Sequence, residues 1–200
     1  MTLNDNAVLT AAMGYVFTAP VGTAAPTPAQ LGTLNLEDTS GWTGNTAWDS
    51  IGHTSRGEMP EFGFDGGDSE MKGSWQKKKL REITAEDPID YLTLRLHQFD
   101  ETAFNFYYGE NASSTPGVFG VSTKGNKRAE KAFLVVIVDG DERVGFHVSK
   151  ASVKRDDAIQ LPTDDLASLP IRATFLDHVG SPLLFSWINE DLFNTETEIP

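Results

Sequence analysis

The 200-residue sequence contains no cysteine, which excludes disulfide bonds, thiolate nucleophiles and cysteine-ligated metals. It also has no long hydrophobic run: the longest, residues 132–138, is far shorter than the ~20 residues that cross a bilayer. No basic residue precedes the short apolar stretch near the N-terminus, so no secretion signal is predicted. We therefore expect a soluble chain that does not enter a membrane.

Motifs for catalysis, cofactor binding and metal binding are missing as well. There is no Gly-rich phosphate loop, HExxH helix or nucleophile elbow. The four histidines lack metal-ligand spacing and are scattered at His53, His97, His147 and His178. We expect neither enzyme activity nor a metal or cofactor.

Acidic residues outnumber basic ones, 29 to 16, and the formal net charge is −13. Such a chain is not attracted to nucleic acid as a whole. The charge is segregated: residues 1–70 hold nine acids and one base, whereas basic clusters occur in residues 72–81 and 124–131. Solvent-exposed faces are the ordinary interpretation of charge runs; the alternative is pairing between neighbouring subunits.

The first third of the chain predicts little regular structure. A short strand over Gly14–Thr18 is followed by an Ala-, Pro- and Thr-rich segment, residues 18–32, that favours an extended arm. We assign residues 1–36 to an N-terminal arm with the first strands. Residues 37–73 read as a long loop with at most a short strand near Thr46–Ile51.

That loop carries aromatic residues, which disordered segments usually lack. They are spaced along it at Trp42, Trp48, Phe62 and Phe64. We therefore predict that the loop is ordered and docks onto another surface.

Residues 74–188 predict a β-rich core. Leu92, Leu94 and Leu96 alternate with polar residues in a strand over Tyr91–Phe99. An N-cap acid and a terminal glycine predict a helix near residues 100–109, and the alternating aromatic residues of this segment leave a strand as the alternative. The other predicted strands are Ser74–Thr84, Ala132–Val138 and Arg143–Val153 joined by an Asp139–Gly140 hairpin, Ile171–Asp177, and Leu183–Ile188.

Seven to nine strands with one helix predict a mainly β fold, a sandwich or a barrel. We find no internal repeat and assign residues 1–200 to a single domain. Residues 189–200 are polar and are expected to form an extended C-terminal arm.

Two stretches resemble the major tail tube proteins of siphophages, particularly those of actinobacteriophages. They are IGHTSRGEMPEFGFDGGDSEMKGSWQ over Ile51–Gln76 and the opening AVLTAAMGYVFTAPVGTAAP from Ala7. Later segments are similar in order and wording, namely DYLTLRLHQFDETAFNFYYG, AFLVVIVDGDERVGFHVSKASV and ATFLDHVGSPLLFSW. The resemblance spans most of the chain.

This resemblance implies a two-sheet β-sandwich with one short flanking helix, six copies to a ring, and stacked rings that form a tube. In such a ring the open sheet edges are consumed by neighbours. The N-terminal arm and the long loop would reach neighbouring rings. We expect the subunit interface to include Tyr15, Phe17, Trp42, Trp48, Phe62, Phe64, Trp75, Lys77, Lys78 and Lys79.

The same resemblance implies a virion protein, made in the host cytoplasm, whose tube carries the genome. Double-stranded DNA would pass an acidic wall without specific binding, and we assign Glu142, Arg143, His147 and Ser149 to that wall. Its partners would be further copies of itself, the tape measure protein inside the tube, and the tail terminator and distal tail proteins at the ends. No C-terminal immunoglobulin-like domain is expected.

Two alternatives remain open at this stage. A tube protein of a related contractile or secretion apparatus shares the ring-forming sandwich. A β-sandwich carbohydrate-binding module would instead present Trp42, Trp48 and Trp75 together on one exposed face.

Overall fold

The computed structural model describes residue 3 and residues 7–42, 47–84 and 86–193. This part of the chain is mainly β, in two sheets, with short helices, so the expected fold class is confirmed. Its elements in chain order are β1 (Met13–Ala19), α1 (Pro28–Thr33), β2 (Asp49–Ser50), β3 (Glu61–Asp65), β4 (Ser69–Lys72), β5 (Arg81–Thr84), β6 (Ile89–Leu96), α2 (Glu101–Tyr108), β7 (Glu130–Asp139), β8 (Glu142–Arg155), β9 (Leu169–Phe175) and β10 (Phe185–Ile188).

The chain divides into two compact units. Unit 1 comprises Met1–Thr54, Ala129–Ser152 and Leu176–Pro200. Unit 2 comprises Ser55–Arg128 and Val153–Phe175, so the last residues of β8 belong to it.

Antiparallel strands form the sheet of unit 1 in the order β2, β1, β7, β8, and β10 pairs with part of β8. The register places Phe17 opposite Leu134 and Leu134 opposite His147. Five consecutive residues of β7, Ala132–Val136, are buried, so both faces of this strand are covered. This explains the apolar run over residues 132–138, which was expected to be a buried strand.

A short, tight turn joins β7 to β8. Asp139 pairs with Glu142, so the two loop residues are Gly140 and Asp141. Gly140 has a φ of 60°, whereas Asp141, like every other described residue that is not glycine, does not have a positive φ. This combination matches a hairpin turn with glycine at its first central position. The hairpin expected here is confirmed, with the turn one residue later than the Asp139–Gly140 pair suggested.

The segment expected to be an extended arm instead folds onto the sheet of unit 1. Residues 28–33 form α1, whose first turn has a capping box between Thr27 and Gln30. Leu31 of this helix is buried in a cluster with Phe17, Leu134 and Val136. The expectation of an arm throughout residues 18–32 is therefore wrong, because the helix completes an apolar core.

Unit 2 contains the antiparallel sheet β9, β6, β3 and the separate hairpin β4, β5. Leu92, Leu94 and Leu96 lie on the buried face of β6, as their alternation predicts. The long loop expected over residues 37–73 contains β2, β3 and β4. The strand expected over Ser74–Thr84 exists only at Arg81–Thr84.

Helix α2 confirms the prediction made from its caps. The Asp100 carboxylate accepts a hydrogen bond from the Ala103 backbone amide, and Gly109 ends the helix with a φ of 89°. A side chain at Gly109 would meet the Lys127 carbonyl at 2.6 Å, so glycine is also required by packing. The Tyr107 hydroxyl donates to the Asp157 carbonyl at 2.7 Å and ties the helix to the rest of unit 2.

Candidate self-assembly surface

The β4–β5 hairpin differs from the other paired strands because every residue in both strands is exposed. Its pairs run from Ser69 with Thr84 to Lys72 with Arg81. An isolated two-stranded hairpin is only marginally stable in water. Its exposed apolar side chains are Met71, Trp75, Leu80 and Ile83. A hairpin with this composition gains stability when another surface covers it.

The tip of the hairpin is an ordered turn. Ser74 and Lys77 exchange two backbone hydrogen bonds, at 2.7 and 3.2 Å, and the Ser74 hydroxyl accepts a third from the Lys77 amide. Gly73 lies so close to the returning strand that a Cβ there would be 2.5 Å from the Lys78 carbonyl oxygen. The turn thus fixes the position from which Trp75, which is 100% exposed, projects into solvent.

Charge also distinguishes this hairpin. Residues 69–84 carry five basic and two acidic side chains, whereas the whole chain has a net charge of −13. Lys77, Lys78 and Lys79 are consecutive and exposed beside the tip. The hairpin is therefore a basic projection from an acidic protein, and another copy of the same chain offers the complementary charge.

Two of the tryptophans predicted at the subunit interface are buried inside their own chain. Trp42 and Trp48 are 1% and 0% exposed and belong to the core of unit 1. Trp42 donates its indole N–H to the Asn35 carbonyl at 2.8 Å, and Trp48 donates to Ala24 at 3.2 Å. With their ring surfaces consumed, they offer nothing to a neighbouring subunit. The exposed sugar platform of Trp42, Trp48 and Trp75 is contradicted for the same reason.

The remaining aromatic residues predicted at the interface divide by strand. Phe17 of β1 is fully buried and packs 4.8 Å from the Trp42 ring, and Tyr15 is half-buried beside it. Phe62 and Phe64 lie on β3 and are 36% and 66% exposed. Trp75 and the three lysines lie on the hairpin. Tyr15, Phe17, Trp42 and Trp48 therefore meet in the core of unit 1, whereas Trp75 and Lys77–Lys79 lie together on an exposed hairpin.

Three of the four residues assigned to the channel wall are covered in the chain itself. On β8 the Arg143 guanidinium donates to the Leu31 and Leu34 carbonyls, and the Ser149 carbonyl accepts from the Gly22 amide at 2.9 Å. Ser149 is buried, and only Glu142 is exposed. Residues 22–34 cover this face of β8, which the polar alternation of the strand did not reveal.

His147 is the third covered residue of the predicted channel wall, and it is buried against Trp48. Its Nε2 lies 3.0 Å from the Thr23 carbonyl and the two aromatic rings meet edge to face. Burial lowers the pKa of His147 below its usual value, and the hydrogen bond to Thr23 opposes part of that shift. A neutral imidazole that donates to a carbonyl is a structural part of unit 1.

The pKa shifts of Asp38 and Tyr107 have local structural causes. Hydrogen bonds from Ser40 lower the pKa of Asp38, which caps a short turn of helix. Burial raises the pKa of Tyr107. Across the ranges that the structure describes, no group of three or more His, Asp or Glu residues is arranged to hold a metal ion.

One face of the sheet in unit 2 is polar, and its arginines are neutralised within the unit. Arg172 of β9 pairs with Asp65 and lies 3.5 Å above the centre of the Tyr91 ring. Arg95 of β6 pairs with Glu58. A guanidinium held by a carboxylate in this way offers less positive charge to a phosphate.

Within the described residues, no helix has the length and apolar composition needed to cross a membrane. The longest of them, α2, has eight residues.

Comparison with known proteins gives consistent results over the whole chain. A family model described as phage tail tube protein matches residues 1–199. The major tail protein Gp23 of Mycobacterium phage D29 is 68% identical over 193 residues, which cover 96% of each chain. The major tail protein Gp23 of Mycobacterium phage L5 is 66% identical over 200 residues, which cover 100% of this chain and 99% of that protein. The chain belongs to the phage tail tube protein family and is a structural component of a siphophage virion tail.

Proposed function

We propose that this subunit assembles into hexameric rings that stack into the tail tube, and that the phage genome passes through the tube into the host. The single observation that supports stacking best is the β4–β5 hairpin, a basic two-stranded projection with exposed Met71, Trp75, Leu80 and Ile83 on an otherwise acidic chain. Assembly of copies supplies the cover that a lone hairpin lacks.

The proposed subunit interface differs from the one expected from sequence. It keeps Trp75, Lys77, Lys78 and Lys79, together with the exposed Phe64 of β3. It leaves out Phe17, Trp42 and Trp48, because these side chains are already buried in the core of unit 1.

Passage of DNA rests on charge in this proposal. A subunit with a net charge of −13 forms a wall that repels phosphates, and screening confines the repulsion to about 8 Å from the wall at physiological ionic strength. The tape measure protein would fill the tube during assembly, and terminator and distal tail proteins would close its ends. We assign the subunit no catalytic role.

Replacement of Ser69–Thr84 by a short Gly-Ser linker tests the role of the hairpin. Ser69 and Thr84 are paired neighbours, so a short linker closes the gap. Every residue removed lies outside the buried cores of the two units. We expect a folded protein that unfolds cooperatively in urea, as the unaltered chain does, but forms no tubes in negative-stain electron microscopy, whereas the unaltered chain forms them.

A second, smaller deletion in unit 2 controls for disturbance of an exposed loop away from the hairpin. Residues 114–118, in the loop between α2 and β7, are exposed, and we expect a variant in which Ser114–Gly117 are replaced by two glycines to form tubes. Normal tubes from the linker variant would refute the hairpin's role. Failure of the unaltered protein to form tubes or rings under any ionic condition would refute the proposed function itself.

A further inference from the structure

Unit 1 contains an open groove of about 600 Å³ between the N-terminal half of α1 and strand β10. Its walls are largely apolar, and this volume is typical of sites that take a ring system and its flanking groups. The apolar walls are formed by Ala25, Pro26, Pro28, Ala29, Trp187 and Phe193.

The charge at the mouth of the groove is negative. Glu190 lines it, Asp191 follows in the chain, and both are exposed. None of the described lining residues is basic. An apolar guest with cations beside it would satisfy both the walls and the mouth.

The hairpin tip in unit 2 presents such a guest. Of the four tryptophans in the chain, Trp42 and Trp48 are buried and Trp187 lines the groove itself. Trp75 is the remaining one, it is fully exposed, and it is followed within four residues by Lys77, Lys78 and Lys79. Exposed tryptophans on rigid turns are characteristic anchors of protein interfaces.

We propose that Trp75 of one subunit docks into the groove between α1 and β10 of a second copy, with Lys77–Lys79 beside Glu190 and Asp191. This inference rests on the proposed stacking function and assigns the hairpin its receptor. Trp187 forms one wall of the site for the Trp75 indole, and Glu190 and Asp191 orient Lys77–Lys79 by electrostatic attraction. The hairpin and groove are different surfaces, so the contact is head-to-tail and is repeated from copy to copy.

Engineered cysteines test this contact directly because the chain has none of its own. One variant carries Gln76→Cys beside the docking indole, and a second carries Ala29→Cys at the groove wall; both positions are exposed. The two are mixed, assembled and oxidised, so only a bond between different copies joins 76 to 29. A flexible bis-maleimide reagent replaces oxidation where the two thiols miss disulfide geometry.

We expect the cross-linked heterodimer in about tenfold excess over a control mixture, because docked thiols share an effective concentration in the mM range. The control replaces Ala29→Cys by Val179→Cys, which is also exposed in unit 1 and does not line the groove. Trp75→Ala introduced into the Gln76→Cys variant should reduce the heterodimer to the control level.

The possible outcomes separate this inference from the function on which it rests. Tubes that form normally but give no more 76-to-29 product than the control, with either reagent, overturn the docking and leave the tube function standing. Equal yields with and without Trp75→Ala also overturn it, since the indole would not be the anchor. Absence of tubes from the unaltered protein bears on the proposed function instead.

Discussion

Trp42 and Trp75 show how differently one residue type is used in this chain. Trp42 packs against Phe17 and bonds the Asn35 carbonyl, whereas Trp75 projects from a turn with its whole ring in solvent. The first therefore contributes to the stability of the free subunit. The second contributes to the free subunit almost nothing and leaves its apolar surface for assembly.

We expect Trp42→Ala to lower the stability of the free subunit and Trp75→Ala to impair assembly instead. Loss of the buried indole should lower the free energy of unfolding by about 3–5 kcal/mol, while loss of the exposed one should change it by less than about 0.5 kcal/mol. Urea denaturation followed by circular dichroism measures both. Tube formation by the Trp75→Ala protein should be lost although its stability is retained.

A third substitution, Leu161→Ala, controls for the removal of an exposed apolar side chain elsewhere in unit 2. It should alter neither stability nor assembly. Comparable destabilisation by Trp42→Ala and Trp75→Ala would contradict the assignment of one to the core and the other to the interface.

His147 makes the stability of unit 1 sensitive to pH. Burial against Trp48 lowers its pKa in the folded chain, so the unfolded chain binds a proton more readily. Above the pKa of about 6.5 that histidine has in the unfolded chain, His147 is neutral in both states and the free energy of unfolding is at its full value. As the pH falls below about 6.5, the unfolded chain takes up the proton first and the free energy of unfolding decreases. One such group changes the free energy of unfolding by at most about 1.4 kcal/mol per pH unit.

Urea denaturation between pH 8 and pH 5 tests this expectation. As the pH is lowered, the urea concentration at the unfolding midpoint should decrease for the unaltered chain. It should decrease less for His147→Gln, which keeps a hydrogen-bond donor towards the Thr23 carbonyl. His53→Gln is the control because His53 is exposed. Parallel pH profiles for the unaltered chain and His147→Gln would show that His147 is not the source.

At the scale of elements, predictions succeeded where the signals are local. The alternation of Leu92, Leu94 and Leu96, the Asp100 and Gly109 caps of α2, and the glycine turn between β7 and β8 each lie within a few residues of what they specify. The chemistry of a cap or a two-residue turn does not depend on distant parts of the chain. These elements were therefore readable from sequence.

Predictions failed where a segment's fate depends on distant partners. The Pro- and Ala-rich stretch reads as an extended arm, yet α1 forms there because Leu31 finds a core made by β1 and β7. A local signal for it was present, since Thr27 and Gln30 have capping-box spacing with proline at the first helical position. The burial of Trp42 and Trp48 had no comparable signal.

The candidate site was predictable to a similar degree. Trp75 and Lys77–Lys79 were expected at the interface from their composition and from the family resemblance, and they lie together on one turn. The groove between α1 and β10 was not predicted, because its lining residues are about 160 positions apart in the sequence. Taken one by one, their residue types do not indicate a binding site. Sequence can identify an exposed anchor more readily than a concave receptor.

At the scale of the whole molecule, charge both opposes and guides assembly. Subunits with a net charge of −13 repel one another, and residues 69–84 are a basic exception that leaves −16 on the rest of the chain. The repulsion acts between whole subunits, while the attraction acts at the hairpin. Both weaken with salt, because the Debye length falls from about 30 Å at 0.01 M to about 3 Å at 1 M.

The position of the lysines, beyond their number, should therefore decide assembly at low ionic strength. We expect Lys77→Gln, Lys78→Gln and Lys79→Gln combined to abolish sedimentable tubes in 20 mM salt and to restore part of them in 1 M salt, where apolar contacts dominate. The matched control combines Lys124→Gln, Lys127→Gln and Arg128→Gln, which are exposed in the same unit and change the net charge equally. The control should assemble nearly as well as the unaltered chain. Equal losses in the two triple variants would mean that net charge alone governs stacking, and the hairpin would then have no electrostatic role of its own.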